Sequence, residues 1–523
     1  SLGDTQHAQG DFASALQSTH CALDIRLELF GEEHSSTADS YQSLGDTQHA
    51  QGDFASALQS KQRALDIRLE LFGEEHSSTA DSYQSLGDTQ HAQGDFALAL
   101  QSKQRALDIR LELFGEDYSS TADSYQSLGD TQHEKGDFSS ALQSKQRALD
   151  IRLELFGGEH SSTAESYQLL GDTQHAKGDF SSALQSKQRA LHIKRKLFGE
   201  EHSSTADSYH SLGVTQYALG DFSSAFQSTQ RTLDIRRQLF GEEHFSTADS
   251  YFSLGITQLK QGDLFSALHS RQRALDIRLK LFGEEHPSTA DCYQSVASTH
   301  HALGDFSSAL QSTQRALHTR LKLFGEEHSS TADSYYSLGV MQYAEGDFSS
   351  ALQSAQRALD IRLRLFGEEH SSTADSYFSV GVTQLKLGVF PSALRSTQHA
   401  LEIRLKMFGE EHSSTADSYH ALGIVKRKQG DFTTALQSTQ RALDIRLKLF
   451  GEEHSSTADS YQSLGVTQHA VGDFSTALLS KQRALDIRLK VFGEEHPSTA
   501  TSYHSLRRTQ HKQSDLLSTF QSK

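Results

Sequence analysis

The sequence predicts an all-α solenoid in which tandem helix-turn-helix repeats stack into a right-handed superhelix. Residues 35–76 return almost unchanged at 77, 119 and 161 and onward to 496, so the chain has a period of 42 residues. Each copy holds two segments with apolar residues at helical spacing, separated by glycine. Neither segment can bury its apolar face alone, so successive copies are expected to pack against each other.

The first helix of each copy is predicted to begin at an S-x-x-D pattern. In the copy at 35–76 this pattern is Ser36 and Asp39, which is typical of a capping box on the first turn. One face of the helix then repeats at i, i+3 and i+7. Its residues are Tyr41, Leu44 and Gln48, with Gly45 beside them.

The second helix is predicted to follow a Gly-Asp pair. Gly52 ends the first helix and Asp53 caps the second. Gly73 ends the second helix, and a Glu-Glu-His linker leads to the next copy. The predicted apolar stripe of this helix consists of Phe54, Ala57, Leu58, Ala64, Leu65, Leu69, Leu71 and Phe72.

The unit resembles the tetratricopeptide repeat. The resemblance is carried by the L-G pair, the inter-helix glycine, an aromatic, two small contact residues and the position of the motif's tryptophan: Leu44-Gly45, Gly52, Phe54, Ala57, Ala64 and Tyr41. The period, an A-L-x-I-R segment and a G-E-x-H linker are similar to the arrays of kinesin light chains and nephrocystin-3-like proteins. The resemblance covers essentially all 523 residues. It implies a scaffold whose first helices line a concave groove for partners.

Composition restricts the partners. The net charge is −18, which disfavours nucleic acid and anionic membranes. Hydrophobic residues make up 36% of the chain and the mean hydropathy is −0.55, as expected for an array with thin cores. No signal peptide and no apolar run of about 18 residues is present, so no membrane span is predicted. Two distant cysteines, Cys21 and Cys292, fit a reducing environment and a cytoplasmic location.

The periodicity predicts one continuous solenoid over residues 1–523. It consists of a partial first repeat at 1–34, eleven complete repeats at 35–496 and a truncated or degenerate repeat at 497–523. Ser1-Leu2-Gly3 matches the middle of a first helix, so we expect a piece of a longer protein. The ragged end near Ser514-Asp515-Leu516 fits either a polar cap or a second truncation.

The copies differ in an ordered way. The residue after the L-G glycine is aspartate in early copies and mostly valine or isoleucine in later ones. Three residues before that glycine, glutamine gives way to His210, Phe252, Tyr336, Phe378 and His420. Four residues after it, histidine gives way to tyrosine, leucine or arginine. In the second helix, glutamate becomes lysine or arginine. The first half is therefore uniform and acidic, and the second half is more apolar and more basic.

These offsets predict a partner-binding groove in copies six to ten. Aromatic anchors with convergent charge are typical of binding surfaces. The alternative is that the aliphatic residues pack against the next repeat and the remaining changes are drift. The predicted groove residues are Phe252, Ile256, Leu259, Lys260, Tyr336, Val340, Tyr343, Phe378, Val382, Leu385, Lys386, Arg427 and Lys428.

Catalysis and metal binding are disfavoured. No P-loop, nucleophile elbow or metalloprotease motif is present, and residues such as Asp53 recur in every copy as scaffold would. The linker histidines, of which His34 is the first, stand one repeat apart, whereas a metal needs three or four ligands at one point. We therefore predict no enzyme, no metal and no cofactor.

The leading hypothesis is a non-catalytic interaction scaffold, in one version a cargo or cytoskeletal adaptor. Its predicted partner is a protein or peptide that is acidic with apolar anchors. The alternative is a repeat sensor arm of a larger signalling NTPase whose N-terminal part is missing here. A coiled coil upstream of Ser1 would favour the adaptor, and a GxxxxGK[ST] loop would favour the sensor. A third interpretation is a spacer, for which groove substitutions would be silent.

Overall fold

The computed structural model describes the backbone of residues 12–521 and the side chains of residues 13–515. Every regular element in this part of the chain is a helix, which confirms the all-α prediction. The chain divides into two compact units between Asp263 and Leu264. Whether the repeats form one continuous superhelix stays a prediction.

The first unit holds helices α1 to α12. They are α1 (Phe12–Phe30), α2 (Ser35–Ala50), α3 (Phe54–Phe72), α4 (Ser77–Gln93), α5 (Phe96–Phe114), α6 (Ser119–Glu134), α7 (Phe138–Phe156), α8 (Ser161–Lys177), α9 (Phe180–Phe198), α10 (Ser203–Ala218), α11 (Phe222–Phe240) and α12 (Phe245–Lys260).

The second unit holds helices α13 to α24. They are α13 (Leu264–Phe282), α14 (Pro287–Ala302), α15 (Phe306–Phe324), α16 (Ser329–Glu345), α17 (Phe348–Phe366), α18 (Ser371–Lys386), α19 (Phe390–Phe408), α20 (Ser413–Gln429), α21 (Phe432–Phe450), α22 (Ser455–Val471), α23 (Phe474–Phe492) and α24 (Pro497–Gln521).

Within each unit a second helix packs against its own first helix and against the first helix of the next copy. Each copy thus shares one helix face with its successor, as predicted for stacked repeats. The last helix, α24, runs on through Ser514-Asp515, where the other described copies break at Gly-Asp or, in one case, at Gly388-Val389. The predicted first-helix segment at Ser1-Leu2-Gly3 lies outside the described residues.

The predicted break between the two helices is confirmed. Gly52 has φ +81°, a left-handed conformation that glycine adopts without strain. The Asp53 carboxylate accepts a hydrogen bond from the Ser56 amide at 3.1 Å. Hydrogen bonds from the Ser56 side chain and amide lower the pKa of Asp53 below its usual 3.8, because they stabilise the charged form.

The predicted capping box at the start of the first helix is wrong. The cap is the linker histidine: His34 Nδ1 accepts a hydrogen bond from the Ser36 amide at 3.1 Å. Asp39 does not bond the first turn but accepts from Arg68 at 2.8 Å. A guanidinium offers the carboxylate a stronger, charge-assisted partner than the exposed amides.

This arginine joins most copies to the next. Arg446 in α21 bonds Asp417 of its own copy at 2.7 Å, and Ser460 Oγ and the Ser456 carbonyl of the next copy at 2.8 and 3.0 Å. Similar bonds recur in both units, although Lys194 replaces the arginine in α9. Because these arginines are buried or half-buried, each link restricts the angle between neighbouring copies.

The core of each copy is narrow. Ala57 and Ala64 are fully buried, as are nearly all the residues at the equivalent positions, in agreement with their predicted role as helix contacts. The predicted apolar stripe is wrong at its end, since Leu71 and Phe72 are each 42% exposed. Phe72 ends its helix and stacks on the linker His76 at 4.5 Å instead of entering the core.

No helix between residues 12 and 521 combines the length and apolar character that a membrane crossing requires.

Candidate protein-binding surface

The first helices of successive copies contact each other within each unit, as α16 contacts α18 and α18 contacts α20. We call the face that they form the first-helix surface. The predicted groove residues all lie on first helices. The surface differs between early and late copies.

In the early copies its polar residues bond to one another. Gln42 donates to Ser85 Oγ of the next copy at 2.6 Å, and His49 bonds Thr89 of the next copy at 3.1 Å. Asp46 forms a 2.8 Å ion pair with Lys61 of its own second helix. These groups offer little free hydrogen-bonding capacity to a ligand.

The aspartate–lysine pair recurs through the early copies with a buried lysine. The distances are 2.8 Å for Asp88–Lys103, 2.7 Å for Asp130–Lys145 and 2.8 Å for Asp172–Lys187. Each lysine is only 3–4% exposed. Burial and the neighbouring lysine both lower the pKa of the adjacent histidine at His49, His91 and His175, because both disfavour its charged form.

In two copies of the second unit, a tyrosine or phenylalanine ring replaces the glutamine. The Arg362 guanidinium lies 4.8 Å from the ring centre of Tyr336, and that of Arg404 lies 4.6 Å from Phe378. Both rings are half-buried and are held by the arginines that link the copies. These rings are therefore partly covered by the arginines that link the copies.

Tyr343 connects two copies on this surface. Its ring packs edge-on against Phe348 at 5.3 Å, and the Lys386 ammonium of the next first helix lies 5.9 Å from its centre. Tyr343 is half-buried and Lys386 is exposed. The structure thus brings together two predicted groove residues from adjacent copies.

The aliphatic groove residues are half-buried. Val340, Val382 and Leu385 keep part of their surface accessible beside the rings. Phe252, Ile256 and Leu259 are also half-buried and Lys260 is exposed, but these four lie on α12 of the first unit. Of the predicted groove residues, only those on α16, α18 and α20 belong to the second unit.

The basic residues divide into two groups. Lys428 is exposed, whereas Arg427 is half-buried, and burial lowers its pKa. The second-helix lysines of the later copies, by contrast, pair with linker glutamates, as Lys322 does with Glu285 at 2.7 Å. These pairs are exposed, and each satisfies its lysine away from the first helices.

Sequence reasoning missed the partner of the varying aspartate. In four of the six copies where aspartate becomes valine or isoleucine, the lysine of the second helix becomes threonine or alanine, as in Val382 with Thr397 and Val340 with Ala355. The exceptions are Ile256 with Arg271 and Val466 with Lys481. This coupled change is visible in the sequence as two positions of the repeat that vary together from copy to copy. It shows that much of the variation at this position serves helix packing.

Among the residues that the structure describes, no group of three or more His, Cys, Asp or Glu side chains could hold a metal ion. The linker histidines instead cap helices.

Comparison with known proteins agrees with this geometry. Family models described as tetratricopeptide repeat match residues 1–70, 57–112, 92–154, 141–196, 205–246, 246–322, 297–362, 330–406, 384–448 and 414–490. No curated protein matches the chain.

Solved structures with a similar fold cover about half of the chain. One is BtubC (BKLC) from P. vanneervenii, with 24% identity, TM-score 0.40, and coverage of 44% of this chain and 92% of that one. A putative kinesin light chain from Podosopora anserina with nearly identical TPR-like repeats has 22% identity, TM-score 0.37, and coverage of 40% and 99%. The apo form of RapI has 16% identity, TM-score 0.45, and coverage of 55% and 98%.

Proposed function

The chain belongs to the tetratricopeptide repeat family, and we propose that it is a non-catalytic scaffold that binds a protein or peptide. The binding site is the first-helix surface of the second unit, centred on Tyr336, Tyr343 and Phe378. The observation that carries the proposal is the change from a self-bonded polar face to partly exposed rings. An accessible ring beside a cation is a typical hot-spot environment.

The exposed lysines beside the rings indicate the chemistry of the partner. Lys386 and Lys428 are exposed, and no ion pair within the described residues occupies either one. An acidic segment with aromatic or aliphatic anchors would place its apolar groups on the rings and its carboxylates near these lysines. The two lysines would raise the association rate by attracting the acidic partner, and the rings would slow its dissociation.

The test compares matched sets of substitutions in the two units. Acidic peptides selected from a display library on the full chain supply the ligand, and fluorescence anisotropy gives its Kd. Tyr336→Ala, Tyr343→Ala and Phe378→Ala together should weaken binding about thirtyfold or more, equivalent to about 2 kcal/mol. The control carries alanine at the equivalent positions, Gln84, His91 and Gln126, and should stay within about threefold of the parent.

Circular dichroism must show unchanged helicity in both variants. Equal loss of binding in the two sets, or no loss in either, contradicts the proposal. The second outcome would favour a spacer.

Within this class we favour a cargo or cytoskeletal adaptor over the sensor arm of a signalling NTPase. The coding sequence upstream of Ser1 distinguishes them. Heptads of a coiled coil support the adaptor, and a phosphate-binding GxxxxGK[ST] loop supports the sensor.

A further inference from the structure

Lys481 in α23 is a buried lysine that lacks the carboxylate its counterparts have. It occupies the position of Lys61 and is 3% exposed, as Lys61 is. Lys61 pairs with Asp46, but the equivalent residue beside Lys481 is Val466. Within the described residues, no carboxylate pairs with Lys481.

The hydrogen bonds around Lys481 differ from those around the equivalent lysines of the early copies. Lys481 Nζ donates to Thr509 Oγ1 at 2.6 Å and to the Ser505 carbonyl at 3.2 Å. In early copies this threonine hydroxyl bonds the histidine of the preceding copy, as Thr89 bonds His49. The equivalent His469 Nδ1 is now buried without a partner. One substitution, aspartate to valine, thus accounts for an uncompensated cation and an unsatisfied ring nitrogen.

Both groups border a cavity of about 730 Å³. Arg427 of α20 and Arg508 of α24 also line it, and Arg427 Nε is likewise buried without a partner. His504 also lines it. None of the described lining residues carries a carboxylate. The cavity therefore gathers three cationic side chains and two unsatisfied nitrogens with no opposing charge.

Burial lowers the pKa of Lys481 to about 8, with a smaller contribution from the nearby charge of Arg508. Burial, Lys481, Arg508 and Lys512 together lower the pKa of His469. Both shifts have the direction expected for basic groups held in a positive, partly dry environment. A bound anion would reverse that penalty.

We propose that this cavity is a binding site for a small phosphate-type anion, held by Lys481, Arg427 and Arg508. A phosphoryl group carries up to two negative charges and several acceptor oxygens, so it can bond more than one of these donors at once. A monocarboxylate would leave most of the positive charge uncompensated. The size of the cavity admits a pyrophosphate or phosphate ester as well as a single phosphate.

This site is separate from the proposed partner-binding function. It shares only Arg427 with the predicted groove and uses none of the aromatic rings. Failure of one proposal therefore leaves the other to be judged by its own test.

The experiment titrates the full chain with inorganic pyrophosphate, inorganic phosphate and acetate at pH 8 and low salt, by isothermal titration calorimetry. We expect saturable binding of pyrophosphate with one site per chain, and at least about tenfold weaker binding of acetate. Val466→Asp restores the ion pair of the early copies and should weaken pyrophosphate binding at least about tenfold.

Two further variants keep the test decisive. Lys481→Thr reproduces the valine–threonine pair of Val382 and Thr397, so it should fold and should also lose binding. Lys448→Gln removes an exposed charge that pairs with Glu411 and does not line the cavity, and it should change affinity less than about twofold. Circular dichroism checks the fold of each.

Proton uptake provides an independent readout. Because the free Lys481 pKa is about 8, anion binding at pH 8 should draw a fraction of a proton onto the lysine. Calorimetry in two buffers with different ionisation enthalpies measures this uptake, and Val466→Asp should abolish it. His469 contributes little at pH 8, since its lowered pKa keeps it neutral.

Three results would overturn the proposal. They are no pyrophosphate binding up to about 5 mM, equal affinity in the parent and in Val466→Asp, or acetate binding as tightly as pyrophosphate.

Discussion

The early copies of the first unit and the later copies of the second share one frame and differ on one face. In both units an arginine bridges neighbouring copies, as Arg68 and Arg446 do. On the first-helix surface, hydrogen-bonded glutamine, aspartate and histidine give way to rings and aliphatic side chains. A repeat can therefore change its first-helix surface while the packing of its helices stays intact.

The aspartate–lysine pair tests the coupling between two varying positions most strongly. Asp130→Val leaves Lys145 buried without its carboxylate and should cost about 3 kcal/mol of unfolding free energy, at the low end for a broken buried pair. The low end applies because Asp130 is 40% exposed. Adding Lys145→Thr recreates the second-unit arrangement and should recover all but about 1 kcal/mol.

Urea unfolding followed by circular dichroism measures both variants. If the double variant is as unstable as the single one, the two positions are not coupled and the explanation of the difference between the units fails.

Enlarging a buried alanine between helices should destabilise both units to a similar extent. Ala309 in the second unit and Ala141 in the first are fully buried between helices. Enlarging either one to leucine overpacks the crossing and should cost about 1–3 kcal/mol. Unfolding midpoints of the two variants should therefore shift by similar amounts.

The matched controls are Gln311→Leu and Gln143→Leu, two residues further along at exposed positions. Each should change stability by less than about 0.5 kcal/mol. An alanine variant that costs no more than its glutamine control would mean that the helix contacts lie elsewhere.

The smallest expected effect concerns a cap that one copy lacks. Val389 stands where the other second helices have aspartate, and α19 has no side-chain cap bond. Val389→Asp should therefore stabilise the second unit by about 1 kcal/mol at pH 7.

The pH dependence identifies the cause. Hydrogen bonds from the Ser350 side chain and amide lower the pKa of the cap residue Asp347 from 3.8. The stabilisation should be complete above pH 3.8 and should disappear as the pH falls through the lowered pKa. Thermal unfolding at pH 7 and below pH 3 checks this, with Val389→Asn as a cap that does not titrate. A gain that persists in acid would rule out the carboxylate as its source.

Much of the fold was predictable because its signals are local. The 42-residue period, the Gly52 break and the Asp53 cap each depend on residues adjacent in sequence. The cap at His34 was missed because the S-x-x-D pattern matched a commoner motif, and only the arginine link shows that Asp39 is already engaged.

The sequence alone determined the repeat, its two helices and the positions at which the copies differ, since these follow from periodicity and short-range backbone preferences. Tertiary structure decided what each varying position touches. The Asp46–Lys61 pair, the contact of Arg362 with the Tyr336 ring, and the hydrogen bond from Lys481 to Thr509 each join residues fifteen or more positions apart. Such contacts depend on how one helix packs against another, and a linear pattern does not specify that packing.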